Sequence, residues 1–391
     1  MTVSGWIFLV VALPVIYVVI ELAARWSIFR GDRYYVLTPG MRLRLEVDRE
    51  TFPQLERTTR FLVNRDGERG DEVPESSDGL YRVLVAGGSQ PEGFLLVQNT
   101  TWPGALHRLL EAPQAMARLG ASRVHVGCIA RSGVGSEALD LMLGRMLPHY
   151  PRLQLIVIMI GASDVMRWLE YGAAPVLPPV RIPDIFRCHP LGPFGWKPTS
   201  LAAWELLLRA RQRWLRPMVL HRRAGRWYAE ARAMRARATE ILDDMPDPAP
   251  MLEQFDFHFR RVLARAADHA DRVIVVRQPW FDKDYTTEEA AHMWHGGAGQ
   301  AWREKVTTYY SFNVVSKLMA SVDQKAAAIA DAMNIEHVDL MPILERSLAV
   351  YYDGFHATPY GAQVVAAEVA AAIQRSSAEN RSLPCVDLLA S

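Results

Sequence analysis

The 391-residue sequence predicts an α/β domain with a parallel central sheet, and half of its residues are hydrophobic. The first observation behind this prediction is that short apolar runs alternate with helical patterns after residue 80. The second is Leu153–Ile160 (LQLIVIMI), an almost unbroken apolar run that is typical of a central parallel strand covered on both faces. Strands that alternate with helices form a parallel sheet with helices on both sides.

Residues 5–24 predict a transmembrane anchor at the N-terminus. Trp6–Ile20 carries no charge, and Leu22–Ala24 continues the apolar run past Glu21. A bilayer span needs about 20 mostly apolar residues, and this segment just reaches that length. A cleaved signal peptide is the alternative, but no basic residue precedes the run and the cleavage site after it is poor.

Residues 34–80 form a lead-in segment. Met41–Val47 alternates apolar and basic residues, which predicts a half-buried strand. Asp66-Gly67 and residues 74–79 (PESSDG) are turn signals. We expect this segment to pack beside the sheet without a catalytic role.

The main domain is predicted over residues 81–375. Its expected strands are Tyr81–Ala86, Arg123–Cys128, Leu153–Ile160, Arg272–Val276 and Glu336–Leu340. Its expected helices include Gln98–Glu111, Ser136–Met146 and a last helix over Pro359–Gln374. Two helical inserts, 171–250 and 281–330, interrupt the alternation, and residues 376–391 form a C-terminal tail.

Charge and cysteine content exclude several classes of protein. Lys and Arg total 44 against 43 for Asp and Glu, so no global charge favours nucleic acid or acidic partners. The three cysteines, Cys128, Cys188 and Cys385, are too few and too widely spaced for a disulfide framework or a zinc cluster.

A candidate nucleophile follows the first strand of the domain, in Gly87-Gly88-Ser89-Gln90. The glycines permit a tight turn, and Ser89 then stands at the carboxyl edge of the sheet, where α/β enzymes bind ligands. The N-terminus of a following helix would offer N–H groups to an oxyanion. Taken alone, such a motif is more often a plain capping turn.

Asp353 and His356 lie together near the other end of the chain, before Thr358-Pro359-Tyr360-Gly361 and an amphipathic helix. A serine nucleophile needs a base, and the base needs an acid that fixes its tautomer. One loop with Asp and His three residues apart can supply both. A solvated loop pair is the alternative, and the helix that follows makes it less favourable.

Two more loops of small residues follow predicted strands. They are Ser132-Gly133-Val134-Gly135-Ser136 and Gly161-Ala162-Ser163-Asp164. The carboxyl ends of parallel strands share one edge of the sheet, so we expect both loops to lie near Ser89.

These four blocks, in this order, resemble the SGNH/GDSL hydrolase superfamily over roughly residues 81–375. The Gly-Asp-Ser block of that family is similar to Gly87-Gly88-Ser89, with Gly88 in place of Asp. Gly133 matches the glycine of the second block, and Asp353 and His356 match the final Asp-x-x-His block. Gly161-Ala162-Ser163-Asp164 is similar to Gly-x-Asn-Asp, with Ser163 at the position of Asn.

The resemblance implies a flavodoxin-like three-layer α/β/α fold and ester chemistry without a metal or cofactor. It implies Ser89 as nucleophile, His356 as base and Asp353 as the acid that orients it. The oxyanion donors would be the N–H groups of Ser89 and Gly133 together with Ser163. A serine donates through a rotatable O–H, so an enzyme with Ser163 is expected to be slower or to use another donor such as Gln90.

The first insert is rich in arginine, with ten Arg and three Glu in residues 201–241. Trp204, Trp214, Trp227 and Tyr228 are interleaved with them. One interpretation is a solvated helical hairpin with an apolar inner face. The other is a basic surface for lipid head groups or an anionic glycan.

The second insert contains His292, Trp294 and His295, followed by glycines at 296, 297 and 299. Two histidines without a further ligand at suitable spacing make a poor metal site. A lid hinged at the glycines is the preferred interpretation, with Trp294 and Trp302 stacking on a sugar ring. The candidate substrate-binding residues are Gln90, Asp164, Gln278, Trp280 and Trp294.

The function predicted from the sequence is hydrolysis of an ester, most of all acetyl, on a cell-envelope carbohydrate or lipid-linked glycan. The alternatives are an O-acyltransferase on the same scaffold and a catalytically idle polysaccharide-binding or assembly module. Three arginines after the anchor place the domain in the cytoplasm by the positive-inside rule, whereas most anchored enzymes of this type work outside it. The sequence leaves the membrane side and the oligomeric state open.

Overall fold

The computed structural model describes residues 3–28, 33–187, 189, 201–214 and 219–382, without the side chains of 3–11, 208–209, 212–214 and 376–382. In this part of the chain the strands are β1 (Arg42–Val47), β2 (Thr58–Leu62), β3 (Leu80–Gly87), β4 (Arg123–Cys128), β5 (Leu153–Met159), β6 (Leu220–Ala224), β7 (Glu240–Leu242), β8 (Ala270–Val276), β9 (Thr308–Tyr310) and β10 (Glu336–Val338). The helices are α1 (Val3–Ile28), α2 (Ser89–Glu92), α3 (Trp102–Leu110), α4 (Pro113–Leu119), α5 (Ser136–Met146), α6 (Ala162–Glu170), α7 (Ile182–Ile185), α8 (Ala202–Trp214), α9 (Arg226–Ala236), α10 (Ala249–His269), α11 (Thr287–Ala291), α12 (Phe312–Ala332) and α13 (Pro359–Ser382).

The central sheet has five parallel strands in the order β4-β3-β5-β8-β10. Counted along the chain, this order is second, first, third, fourth, fifth, which is the flavodoxin-like doubly wound arrangement. The prediction of an α/β fold with a parallel central sheet is therefore confirmed.

Helices cover both faces of this sheet. Side chains of a strand alternate between faces, so Leu84 and Ala86 of β3 pack in one hydrophobic cluster, with α5, α10 and α12. Val83 and Val85 pack in the other, with α3 and α13. The two clusters form the outer interfaces of a three-layer structure.

The helix predicted over Gln98–Glu111 begins later than expected. Gln98–Thr100 is a 3₁₀ turn, and α3 starts only at Trp102. The hydroxyl of Thr101 accepts a hydrogen bond from the N–H of Gly104 (3.1 Å), and Pro103 follows in the first turn. Both are start signals for a helix, and the apolar spacing alone did not reveal them.

The second predicted insert, 281–330, includes a core helix. Val314, Leu318 and Val322 of α12 are buried against the sheet, and α12 is the crossover between β8 and β10. A parallel connection needs such a crossover, so the irregular stretch ends before α12. Similarly, α10 directly precedes β8 and belongs to the crossover that connects β5 with β8.

The lead-in segment and the first insert share a small sheet. β1 pairs antiparallel with β2, as a hairpin-like neighbour, and parallel with β6 of the first insert. The strand predicted over Met41–Val47 is observed as β1. Its pairing with β6, which is far away in the sequence, could not be predicted from the pattern of β1 alone.

The predicted anchor, residues 5–24, falls in α1. No helix among the described residues is long and apolar enough to cross a bilayer, so the predicted span is not supported. Glu21 lies inside the predicted span and pairs with Arg25 (3.0 Å). The Glu21 carboxylate also accepts hydrogen bonds from the N–H groups of Ala202 (2.9 Å) and Ala203 (3.0 Å), which joins α1 to the start of α8.

The predicted C-terminal tail, 376–391, is helical in its first part because α13 runs to Ser382. Residues 383–391 lie outside the described chain, as do Cys188 and Cys385. Cys128 is a buried free thiol.

Candidate active site

The candidate site lies at the point where the order of the central sheet reverses. β3 and β5 are neighbours there, and the loops after both strands lead to Ser89 and to Ser163. In open α/β sheets the crevice outside the carboxyl ends at this point is the usual ligand site.

Gly87 ends β3 in a conformation that only glycine adopts readily, with φ 155°. A Cβ at this position would lie 2.0 Å from the carbonyl oxygen of Met159 in β5, so no side chain fits. The close approach turns the chain and starts α2 at Ser89. The predicted helix after Ser89 is a single turn, because Gly93 follows in the left-handed conformation.

The structure brings Ser89, His356 and Asp353 into one hydrogen-bonded chain. His356 Nε2 lies 2.8 Å from Ser89 Oγ, and His356 Nδ1 lies 2.8 Å from both carboxylate oxygens of Asp353. This is the geometry of a nucleophile, a base and an acid that orients the base.

Asp353 is fully buried yet held as an anion. Burial favours its neutral form, but His356, the N–H of Phe355 (2.9 Å) and the indole N–H of Trp294 (2.9 Å) stabilise the charge. Together they keep the pKa of Asp353 well below its ordinary value. Trp294 was predicted to bind substrate, and the structure shows that its N–H group is engaged by Asp353.

Gly354 lets His295 approach the triad loop closely. A Cβ at Gly354 would lie 2.3 Å from Cε1 of His295, which is buried against Phe355 and Phe312. Burial, with the positive charge of Arg235, lowers the pKa of His295 to about 3, so its ring is neutral. Among the described residues no three side chains are grouped to hold a metal ion.

Gly133 and Ser163 both line the space in front of Ser89. Gly133 has φ 77°, and a Cβ built on it would meet no atom within 4 Å. Its N–H has no hydrogen-bond acceptor among the described residues. Ser163 Oγ lies 3.5 Å from the position that a Cβ on Gly88 would occupy. Both predicted oxyanion donors are therefore beside the turn that carries Ser89.

Glu92 fixes the loop that carries Gly133. Its carboxylate accepts a hydrogen bond from the N–H of Ser132 (2.8 Å) and another from the Ser132 hydroxyl. Burial raises the pKa of Glu92, and the bonds from Ser132 partly oppose that shift. Sequence reasoning missed this residue, since nothing in its spacing distinguishes it from a surface glutamate.

Arg69 of the lead-in segment also holds the turn that carries Ser89. The fully buried guanidinium of Arg69 donates to the carbonyl oxygens of Gly93 (2.8 Å) and Leu96 (2.7 Å) and to Gln98 Oε1 (2.9 Å). These carbonyls end α2, so the expectation that the lead-in merely packs beside the sheet understates its part in the site.

Asp164 lines the cavity, but one of its oxygens is already occupied. Oδ1 accepts hydrogen bonds from the N–H (2.8 Å) and the hydroxyl (2.6 Å) of Ser136, at the start of α5. Burial raises the pKa of Asp164. The predicted substrate contact is thus at least partly a structural contact between α6 and α5.

Three other predicted substrate-binding residues lie away from the cavity. Gln90, Gln278 and Trp280 are 5%, 6% and 7% exposed, and none of them lines it. The indole of Trp280 donates to Ser316 of α12 (2.9 Å), because the chain after β8 turns towards that helix. The prediction that these three residues bind the substrate is therefore corrected, because none of them lines the cavity.

A cavity of about 840 Å³ opens at Ser89 and His356. One wall is aromatic, where Trp227 of α9 contacts Tyr228 and Trp294 at ring-centroid distances of 4.8 and 5.0 Å. Another part is apolar and is lined by Ala138, Met166, Leu177, Met251 and Phe255. Sequence reasoning placed Trp294 at the site, but not Trp227, Tyr228 or the apolar part.

Two arginines of α9 hold the loops around the triad. Arg232 donates to the carbonyl oxygens of His292 (2.9 Å) and Tyr352 (3.1 Å), and Arg235 donates to those of His295 and Tyr310 (3.0 Å). These arginines of the first insert therefore point inward, unlike the exposed Arg222, Arg223 and Arg226.

The glycine patch at 296–299 is bonded to its neighbours. The carbonyl of Gly296 accepts from the N–H of Tyr310 (2.7 Å), and the N–H of Ala298 donates to Thr308 (3.0 Å). A Cβ at Gly296 would lie 3.0 Å from Val315. Gly296 and the residues after it are thus packed against β9 and α12, and the lid hinge at these glycines stays a prediction.

Comparison with known families gives one match. A family model described as "SGNH domain (fused to AT3 domains)" matches residues 198–371, a segment that holds Asp353 and His356 but begins after Ser89. A search of the curated proteins found no match. The domain match supports an enzyme that acts on ester bonds, as an acyl esterase or an acyltransferase.

A comparison with solved structures gives matches of low similarity. The acetylxylan esterase Axe2 from Geobacillus stearothermophilus is 11% identical with a TM-score of 0.39, over 76% of this chain and 94% of that chain. The α/β hydrolase LAE5 from the metagenome of Lake Arreo, Spain, is 12% identical with a TM-score of 0.39, over 75% and 94%. A G-D-S-L family lipolytic protein from Veillonella parvula is 9% identical with a TM-score of 0.39, over 76% and 99%. TM-scores this low say nothing about the activity of this chain.

Proposed function

We propose that the chain is a serine esterase that hydrolyses a short acyl ester, acetyl most of all, on a carbohydrate. The observation that carries this proposal is the chain of hydrogen bonds from Ser89 through His356 to Asp353, at the mouth of a large cavity. The domain match over the segment that holds Asp353 and His356 supports the same chemistry.

In the first half of the reaction, Ser89 Oγ attacks the ester carbonyl while His356 Nε2 takes the proton of the Ser89 hydroxyl. The carbonyl oxygen becomes an oxyanion, and the N–H groups of Ser89 and Gly133 and the hydroxyl of Ser163 stabilise it. The tetrahedral species collapses as His356 returns the proton to the leaving alcohol. An acyl group then remains bound to Ser89.

In the second half, His356 takes a proton from water, which attacks the acyl carbon. The second tetrahedral species collapses, Ser89 regains its proton from His356, and a carboxylic acid leaves. Throughout, Asp353 holds the His356 ring with Nδ1 protonated and stabilises its charged form. Trp294 keeps the second carboxylate oxygen of Asp353 in place.

An acyltransferase is the second candidate function. The family model that matches this chain describes SGNH domains fused to AT3 domains. In a transferase the first half of the reaction is the same, and a sugar hydroxyl replaces water in the second. The cavity has room for such an acceptor. A catalytically idle binding module is disfavoured, because it would need no base within hydrogen-bonding distance of Ser89.

The test is turnover of p-nitrophenyl esters by wild type, Ser89→Ala and His356→Ala. Wild type should release p-nitrophenol, and both variants should lose at least about 1000-fold in kcat, because the nucleophile and the base act as one unit. Ser321→Ala, on α12 with its hydroxyl bonded to Lys317, is the matched control and should keep wild-type rates. Wild-type rates in both triad variants would contradict the proposal.

A series from acetate to octanoate esters tests the acyl length in the same assay. The proposal of a short acyl ester predicts that activity falls with chain length. The apolar wall of the cavity gives the opposite trend a physical basis, since each buried CH₂ contributes about 0.8 kcal/mol. Activity that rises towards octanoate would overturn the preference for acetyl esters.

A further inference from the structure

The cavity is much larger than an acetyl group requires. Its volume of about 840 Å³ is in the upper part of the roughly 300–1,000 Å³ range of pockets that enclose a whole small molecule. The acyl group of an acetyl ester has three non-hydrogen atoms, so most of the space must serve the alcohol part of the substrate. The chemistry of that space indicates what the alcohol is.

One part of the cavity rim, which we call the Glu170 rim, is built from α6 and from the turn before β9. It consists of Glu170, Gln300, Trp302 and Arg303. Glu170 belongs to the last turn of α6, and Trp302 lies close enough to lower the pKa of its carboxyl against the effect of burial. The Arg303 guanidinium lies 4.6 Å from the centre of the Trp302 ring.

Trp302 is a large aromatic residue that is 54% exposed although it lines the cavity. A large exposed aromatic ring beside a carboxylate and an amide offers a flat apolar surface with hydrogen-bonding groups at its edge. A pyranose ring has the complementary shape, with C–H groups on its faces and hydroxyls around its edge.

We propose that the Glu170 rim is the subsite for a sugar ring of the alcohol, with Trp302 as its platform and Glu170 and Gln300 as hydrogen-bond partners of its hydroxyls. The inference rests on the proposed esterase function, which it extends from the acyl group to the alcohol.

The charges around the rim favour a polyhydroxylated alcohol over an acyl chain. Glu170, Arg167, Arg181 and Arg303 all line this part of the cavity. A hydrocarbon chain placed there would remove water from these groups without replacing its hydrogen bonds, which costs free energy. Sugar hydroxyls both donate and accept, so they can replace that water for groups of either sign.

The ionisation of Glu170 supports this role. Burial raises its pKa to about 7, although Trp302 and Arg167 oppose the shift. Near neutral pH the carboxyl is therefore present in both forms, and it can accept a hydrogen bond from a hydroxyl or donate one to it.

The test compares a sugar ester with a simple ester in Trp302→Ala and Glu170→Gln. The sugar ester is 6-O-acetylglucose, which carries the pyranose ring with its other hydroxyls free, and the simple ester is p-nitrophenyl acetate. The ratio of kcat/KM on 6-O-acetylglucose to kcat/KM on p-nitrophenyl acetate should fall about 10-fold in Trp302→Ala, mainly through KM, and a few-fold in Glu170→Gln.

Trp204→Ala is the matched control, because Trp204 on α8 is 52% exposed and does not line the cavity. Its ratio should equal that of wild type. An unchanged ratio in both rim variants, or an equal fall in Trp204→Ala, would overturn the subsite. So would a wild type that hydrolyses p-nitrophenyl acetate but not 6-O-acetylglucose. A wild type inactive on both esters would contradict the esterase function itself, and the subsite with it.

Discussion

At the scale of single residues, the Asp353 carboxylate is the most constrained group of the site. Both of its oxygens lie 2.8 Å from His356 Nδ1, two backbone N–H groups bond Oδ1, and the Trp294 indole bonds Oδ2. A buried carboxylate with this many donors stays ionised and has one orientation. Trp294 is thus a positioning residue for His356, acting through Asp353.

Trp294→Phe should lower kcat by about 10-fold to about 100-fold with little change in KM, because it removes one hydrogen bond to a charged group and keeps the aromatic wall. Such a hydrogen bond contributes about 1.5–3 kcal/mol. Steady-state kinetics on p-nitrophenyl acetate measure the effect. Trp204→Phe is the control outside the cavity. Wild-type kcat in Trp294→Phe would remove Trp294 from this role.

The grouping of Ser89, Asp353 and His356 was predictable from the sequence, because a Gly-Gly-Ser turn after a strand and an Asp-x-x-His loop are local patterns. Trp294 was recognised as a site residue, but its bond to Asp353 was not predictable, since 59 residues separate the two. Gln90, Gln278 and Trp280 were misplaced for a related reason. A residue next to a strand end can turn towards the cleft or towards the helices, and its sequence position does not decide which.

At the scale of elements, the turn α2 and the loop around Gly133 are held together by Glu92. The buried carboxylate bonds Ser132, the residue before Gly133, so the position of one oxyanion donor depends on it. Arg69 fixes the other end of α2 through the carbonyls of Gly93 and Leu96. The turn that carries Ser89 and the loop that carries Gly133 are therefore held by two buried polar side chains, Arg69 and Glu92.

Glu92→Gln should lower kcat about 10-fold at constant KM, because the neutral amide holds Ser132 less firmly. The free energy of unfolding of Glu92→Gln, compared with that of wild type, should rise with pH. Burial raises the pKa of Glu92 above the unfolded value of 4.5, so the wild type loses stability as pH climbs through that range, and the variant has no such loss.

Thermal unfolding of both proteins between pH 4.5 and pH 8 checks this difference. Glu111→Gln, on the surface at the end of α3, is a control whose effect on kcat should be negligible. A Glu92→Gln protein with wild-type kcat, or a melting-temperature difference independent of pH, would contradict the role given to Glu92.

Elements with a strong local signal were predictable, and those defined by distant partners were not. β4 and α5 have the predicted bounds, because apolar alternation and helical spacing end sharply there. α12 was assigned to an insert, since a core crossover helix and an inserted helix share one apolar pattern. The pairing of β1 with β6 depends on a strand 170 residues later, which no local pattern encodes.

At the scale of the whole molecule, the segments outside the central sheet converge on the site. The lead-in supplies Arg69, and the first insert supplies the aromatic wall and the two inward arginines of α9. The segment before α12 supplies Trp294 and the Glu170 rim residues Gln300 and Trp302. The sheet positions Ser89 and His356, and these additions shape the cavity in front of them.

The central claim is that Ser89 is a nucleophile activated by His356, and covalent labelling tests it most directly. A fluorophosphonate probe reacts with activated serines, and peptide mass spectrometry locates the adduct. The account predicts a single adduct, on Ser89, that is absent in Ser89→Ala and forms far more slowly in His356→Ala. An adduct on another serine, or undiminished labelling of the Ser89→Ala protein, would contradict it.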